Sequence, residues 1–128
     1  MRHNAWSMIK TVFTCCAALI GVAVLGYASP SFPADKEMTV VEKGKEVAFD
    51  RAKGNCLACH AMDDGTLPGN IAPPLVGMNL RYPGKTRLRA QIWDATVANP
   101  NTIMPPFGRH QILTEEEIDQ VVEYVYTL

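Results

Sequence analysis

The clearest pattern in the chain lies at its end. Ile118, Val121, Val122 and Val125 recur at i, i+3, i+4 and i+7, which places them on one face of a helix. Thr114-Glu115-Glu116-Glu117 precedes them as a capping box, in which the Thr hydroxyl caps the third amide and Glu117 reaches back. The three glutamates also suit the positive end of the helix dipole. A second helix is predicted over Val40–Lys53, with Val40, Gly44, Val47, Ala48 and Ala52 on one face. A third is predicted from a Thr86 cap to about Ala98, turning Leu88, Ile92, Ala95 and Trp93 inward until Asn99-Pro100 stops it. Residues 61–83 are rich in Gly, Pro and Asn and read as a long loop, and 101–113 as a second one. No strand pattern of comparable length competes. The expectation is a single all-α domain of about three main helices with long loops.

The N-terminal part follows a different pattern. Arg2 and Lys10 precede an uncharged, mostly apolar run from Thr11 to Tyr27, and Gly26-Tyr27-Ala28 offers small residues for a signal peptidase. The reading is a leader, residues 1–28, cleaved after Ala28, then an irregular lead-in over 29–39 and the domain over 40–128. The alternative is a retained membrane anchor. The run is at the short end for a span, however, and Pro30 and Pro33 interrupt any continuing helix. Export places the mature protein in the periplasm.

Export also changes the cysteine arithmetic. Of four cysteines, Cys15 and Cys16 fall in the leader, leaving Cys56 and Cys59. These stand in Cys56-Leu57-Ala58-Cys59-His60, the C-x-x-C-H signature of c-type haem attachment. Two thiols at this spacing form thioethers to one porphyrin, and the adjoining imidazole ligates the iron. The cofactor is therefore read as one covalently attached haem c, with His60 as an axial ligand. A zinc site built from Cys56, Cys59, His60 and His110 lacks the usual pair of separated histidines. A thioredoxin-like use of the cysteines lacks its strand-to-helix setting.

The opposite side of the iron needs a ligand too. Met62 lies too close to His60 to cross to the other face, and Met38 precedes the motif across a helix. Met104 is favoured, because Pro105 and Pro106 stiffen its loop and reduce the entropy lost in holding the sulfur. Met78, His110 and a merely packed Met104 remain the alternatives.

Charge adds little about function. The formal net charge is −1, and nothing suggests a nucleic-acid surface. Arg81, Lys85, Arg87 and Arg89 do form a basic stretch, and Glu115, Glu116, Glu117 and Asp119 an acidic one. Each reads as a solvated helix face, or the basic one as a docking patch for an acidic partner.

Taken together, the CLACH run after a helix with Gly44, the stretch Pro73-Pro74-Leu75-Val76-Gly77, a Met loop and a terminal amphipathic helix resemble the class I cytochromes c. That resemblance implies that the Pro73 carbonyl accepts the His60 Nδ1–H, a bond that fixes the ring and increases its basicity. It also implies that Gly44 lets an aromatic of the last helix, with Tyr124 the candidate, approach closely. Residues 54–60, 68–71, 88–95 and 99–110 are similar to the SoxX family, monohaem subunits of SoxAX cytochromes in thiosulfate oxidation. The family implies a SoxA-like haem partner and a downstream acceptor cytochrome. It further implies the electron-transfer role in an L-cysteine S-thiosulfotransferase, with no catalytic nucleophile on this chain. A free-standing electron shuttle is the competing reading. A gas sensor or peroxidase would need Met104 not to bind iron.

Overall fold

A computed structural model describes residues 36–128; the expected leader and its cleavage point lie outside them. Four α-helices carry the fold: α1 (Val40–Phe49), α2 (Met78–Arg81), α3 (Lys85–Trp93) and α4 (Glu115–Val125). Two 3₁₀ turns, Cys56–Ala58 and Ala95–Val97, complete the regular structure, and no strand occurs among the described residues.

Both long terminal helices begin with the same device. At α4 the Thr114 hydroxyl accepts from the Glu117 amide at 3.2 Å, and the Glu117 carboxylate accepts from the Thr114 amide at 2.9 Å. Thr39 and Glu42 do the same for α1, at 3.2 and 2.7 Å. This second box stands in Thr39-Val40-Val41-Glu42, where periodicity alone suggested only a helix start.

α1 and α4 pack directly on each other and form the main core. Ile118 is fully buried, and Val121, Val122, Tyr124 and Val125 nearly so, against Val47 and Ala48. Gly44 marks the closest approach. A Cβ there would collide with the Gln120 carbonyl oxygen and lie 3.0 Å from the Tyr124 Cβ. The Phe49 ring meets the Tyr124 ring edge-on at 6.3 Å.

Two helix boundaries differ from the sequence expectation. α1 ends at Phe49 rather than Lys53, because the Asp50 carboxylate accepts the Ala52 amide at 2.8 Å and turns the chain. Asp94 does the same to α3. Its side chain takes the Thr96 amide at 3.0 Å, so the helix stops at Trp93 and a 3₁₀ turn follows. α3 also starts one residue before Thr86, after Gly84. Within the expected first loop, α2 forms on Met78, whose amide donates to the Leu128 carbonyl at 3.1 Å.

Half of the basic stretch is paired with carboxylates of α4. Lys85 pairs with Glu123 at 2.6 Å, and Arg89 reaches Asp119 and Glu115, joining α3 to α4. Such exposed pairs contribute at most about 1 kcal/mol each. Leu88 and Ile92, interleaved with Lys85 and Arg89 at i, i+3, i+4 and i+7 on one face of α3, enter the core.

Candidate cofactor site

The site begins where the turn after α1 ends. Asn55 takes a left-handed conformation (φ 45°) and leads into the 3₁₀ turn Cys56–Ala58. The turn is closed by the Cys59 and His60 amides, which donate to the Cys56 carbonyl at 3.1 and 2.9 Å. Both cysteines are half-buried free thiols on this one turn. Burial pushes the Cys56 thiol up to about 11, so it is protonated at neutral pH.

The chain then doubles back and laces itself to the motif. The Gly69, Ala72 and Leu75 amides donate to the carbonyls of Leu57, Cys59 and Ala61, at 2.9, 3.1 and 2.9 Å. The approach at Gly69 is so close that a Cβ there would collide with the Ala58 carbonyl oxygen. This lacing brings Pro73 to His60, with Nδ1 2.7 Å from the Pro73 carbonyl oxygen. A carbonyl only accepts, so Nδ1 carries the proton and Nε2 keeps a lone pair for a metal.

A polar clasp ties the motif loop to the helix pair. Lys45 on α1 reaches Asp63 at 2.8 Å and Asp64 at 2.7 Å, and the Tyr124 hydroxyl on α4 donates to Asp63 at 3.3 Å. The Lys45 bond holds the Asp63 carboxyl below its usual range. Burial, with Asp63 close by, pushes the Tyr124 phenol up.

The methionines separate by environment. Met62 and Met78 are buried in the core, and the Met78 sulfur already accepts from the Arg81 guanidinium at 3.3 Å. Met38 is exposed at the chain's lead-in, and His110 is exposed in the second loop. Met104 is half-buried beside the core, and its amide bonds to the Thr102 hydroxyl at 3.2 Å.

The Met104 loop is anchored from both sides. Phe107 and Leu113 are buried, and the Gly108 amide donates to the Trp93 carbonyl at 3.1 Å. Trp93 itself is half-buried, covered by the Arg89 guanidinium at 5.3 Å. Asp94 secures the far end, pairing with Arg109 at 2.9 Å while accepting from Thr96. The Thr96 bond, then the nearby charges of Arg109 and His110, hold its carboxyl low. The sequence reading missed Asp94; Asp94-Ala95-Thr96, a short acid two residues before an amide it can cap, was the available signal.

The donor set fits a covalent porphyrin. Two free thiols share one turn, an imidazole with a fixed tautomer follows, and a thioether sits on a separately anchored loop. Ile71 and Val76 on the first loop, and Ile103 on the second, expose apolar surface of the kind a porphyrin covers. Among the described residues no three His, Cys, Asp or Glu side chains converge on a metal-sized cage.

Comparison with known proteins agrees with this donor chemistry. Residues 39–125 match the family model described as cytochrome C oxidase, cbb3-type, subunit III. The crystal structure of SoxXA from P. pantotrophus contains a chain 30% identical to this one, with a TM-score of 0.61. That match covers 67% of this chain and 79% of the other. An uncharacterized lipoprotein of Aquifex aeolicus (strain VF5) is 36% identical over 75 residues, which is 58% of this chain. The matched part is 36% of that lipoprotein, so the chain spans about a third of its length.

Proposed function

The chain belongs to the cytochrome c family represented by cbb3-type oxidase subunit III and is a SoxX-like electron-transfer cytochrome, and from this premise we propose that it is the monohaem, electron-accepting subunit of a SoxXA-type complex. In this reading it accepts electrons from a SoxA-like partner while thiosulfate is oxidatively conjugated to a carrier-protein cysteine. It then passes them to a downstream cytochrome. The setting is the periplasm, after removal of residues 1–28. The likeness to a chain of SoxXA supports the partner.

The observation that carries the cofactor reading is the His60–Pro73 bond, set beside two free thiols on one turn. Cys56 and Cys59 are the thiols that would hold one haem through thioethers to its two vinyl groups. His60 would hold the iron through Nε2, with the Pro73 carbonyl keeping the ring in place and increasing its basicity. Met104 would hold it from the loop braced by Pro105, Pro106 and the Asp94–Arg109 pair. When bound, haem c supplies a one-electron iron couple whose potential His and Met ligation raises. The chain's own task is to hold both ligands through each change of charge. Once Cys56 and Cys59 are alkylated, residues 29–128 contain no thiol, so no nucleophile remains for the sulfur chemistry.

The test is a tagged pull-down of the mature chain from its native periplasm, read by haem staining of the gel. A second, larger haem-staining band at equal stoichiometry is expected. A single band overturns the subunit reading and leaves a mobile carrier.

A further inference from the structure

The pairing of charges across the surface is uneven. Among the described residues, Lys43, Lys45, Lys53, Lys85, Arg89 and Arg109 all form ion pairs with carboxylates. Arg81 and Arg87 form none, yet they line the same groove between α2 and α3, a cavity of about 310 Å³. Tyr82, Gln91 and Val97 share the lining. The one carboxylate there, Asp94, is already engaged by Thr96 and Arg109 and leaves the two guanidiniums uncompensated.

The groove is pre-organised as well as positive. Arg81 donates to the Pro74 carbonyl at 2.9 Å and to the Met78 sulfur at 3.3 Å, so its fork is held in place. Less side-chain freedom is then lost when a carboxylate binds. The Arg87 side chain makes no hydrogen bond or ion pair among the described residues, so all its guanidinium donors are available. Apolar side chains flank the two charges: Val97 and, beside Arg81, Leu80 are both more than four-fifths exposed. Arginine and tyrosine, here Arg81, Arg87 and Tyr82, are residue types enriched in protein interface hot spots. Pro74 follows Pro73, whose carbonyl holds His60. A molecule seated on Arg81 therefore lies against the loop that orients the proximal histidine.

We propose that this groove is a docking site for a carboxylate-bearing segment of the protein with which the cytochrome exchanges electrons. The proposal deepens the electron-transfer reading, and it does not depend on that partner being SoxA-like. The two guanidiniums steer and orient an acidic surface, which mainly raises the association rate.

The test uses the haem-loaded, ¹⁵N-labelled chain in its ferrous form, titrated with hexaglutamate. Hexaglutamine and inorganic sulfate at matched ionic strength serve as controls. Amide shifts are expected to centre on Leu80–Ala98. Arg87→Gln is expected to weaken hexaglutamate binding about three- to fivefold, while Arg51→Gln, also an unpaired cation, leaves it unchanged. Because Arg87 holds nothing else in the fold, an unchanged haem spectrum accompanies the substitution. Shifts centred on residues 36–51, or equal weakening by Arg51→Gln, overturn the proposal. Sulfate acting on the same amides with equal affinity also overturns it, in favour of a small-anion site. A failed pull-down of a SoxA-like subunit leaves these outcomes untouched, so the two readings fail separately.

Discussion

The crossing of α1 and α4 and the loops that carry Cys56, His60 and Met104 are held together by different means. The crossing is side-chain packing: Val47, Ala48, Ile118, Val121 and Val125 exclude water from a contact that Gly44 lets close. Away from their buried anchors Met62, Phe107 and Leu113, the loops pack few apolar side chains. Backbone bonds from Gly69, Ala72 and Leu75, the His60–Pro73 bond, and the Lys45 and Asp94 clusters fix them instead. Ile71, Val76 and Ile103 stay exposed on these loops. The helix pair is therefore held mainly by side-chain packing, whereas the loops keep exposed apolar surface that a bound group would cover. A cofactor bound only by the native state stabilises that state in turn.

The sharpest way to break the scaffold is Gly44→Val. No rotamer change relieves a clash with the Gln120 backbone carbonyl, so α1 and α4 must separate. Overpacking of this kind costs about 3 kcal/mol or more, enough to lose the cooperative transition of so small a domain. Thermal unfolding followed by circular dichroism should show no native baseline. A variant that melts near wild type shows that the crossing has slack.

Gly69→Val breaks the other region selectively. It pushes the return loop off Ala58 and with it the Gly69–Leu57 bond, at about 1–3 kcal/mol. Helical content should persist, while the yield of covalently attached haem, read by staining a denaturing gel, should fall. Equal loss of helix and haem erases the distinction between the regions.

Two methionines extend the contrast to single atoms. Met78→Leu and Met104→Leu both conserve volume and each should cost less than about 1.5 kcal/mol in packing. Only the Met104 change should abolish the methionine–iron charge-transfer band of the ferric protein. Loss of that band in Met78→Leu instead reassigns the ligand.

What was legible in the sequence divides along the same line. Ile118, Val121, Val122 and Val125 announce α4 because a packed face repeats with the helix, and periodicity survives without knowledge of the partner. The motif residues were legible because haem attachment needs fixed spacing. The ends of α1 and α3 were not, since Asp50 and Asp94 stop them through side-chain-to-backbone bonds that leave no period. The fate of the charges was equally hidden. Lys85 and Arg89 meet α4 while Arg87 does not, a matter of which way α3 turns over a helix distant in sequence.

The capping boxes give a smaller and cleaner probe of the scaffold. Thr114→Ala removes the cap of the helix that fills the core and should cost about 1 kcal/mol, lowering Tm by about 4–8 °C. The band of the Met104 loop should be unchanged. A spectral change without a stability change shows that the loop reads the helix start.

The smallest effect concerns the clasp that joins the two regions. Lys45 holds the Asp63 carboxyl below its ordinary value, so its contribution is present above the unfolded pKa of about 4 and fades as pH falls through the lowered folded value. The Tyr124 phenol is shifted up, so its share is present below about 10 and is lost only as pH rises beyond that. Between these limits the clasp is constant. Asp63→Asn removes the Asp63 charge and leaves the Lys45–Asp64 pair, so the loss in Tm relative to wild type should be small, constant from about pH 5 to pH 9, and vanish on acidification. Measuring both proteins across this range isolates Asp63 from the other lowered carboxyls, Glu42, Asp94 and Glu117, which both proteins share. A difference that persists well below pH 4 means that Asp63 acts through the shape of its turn, where φ is +43°, rather than through its charge. The motif loop would then be tied to α1 and α4 by backbone conformation, like the rest of the site, and not by the charge of Asp63 in its pair with Lys45.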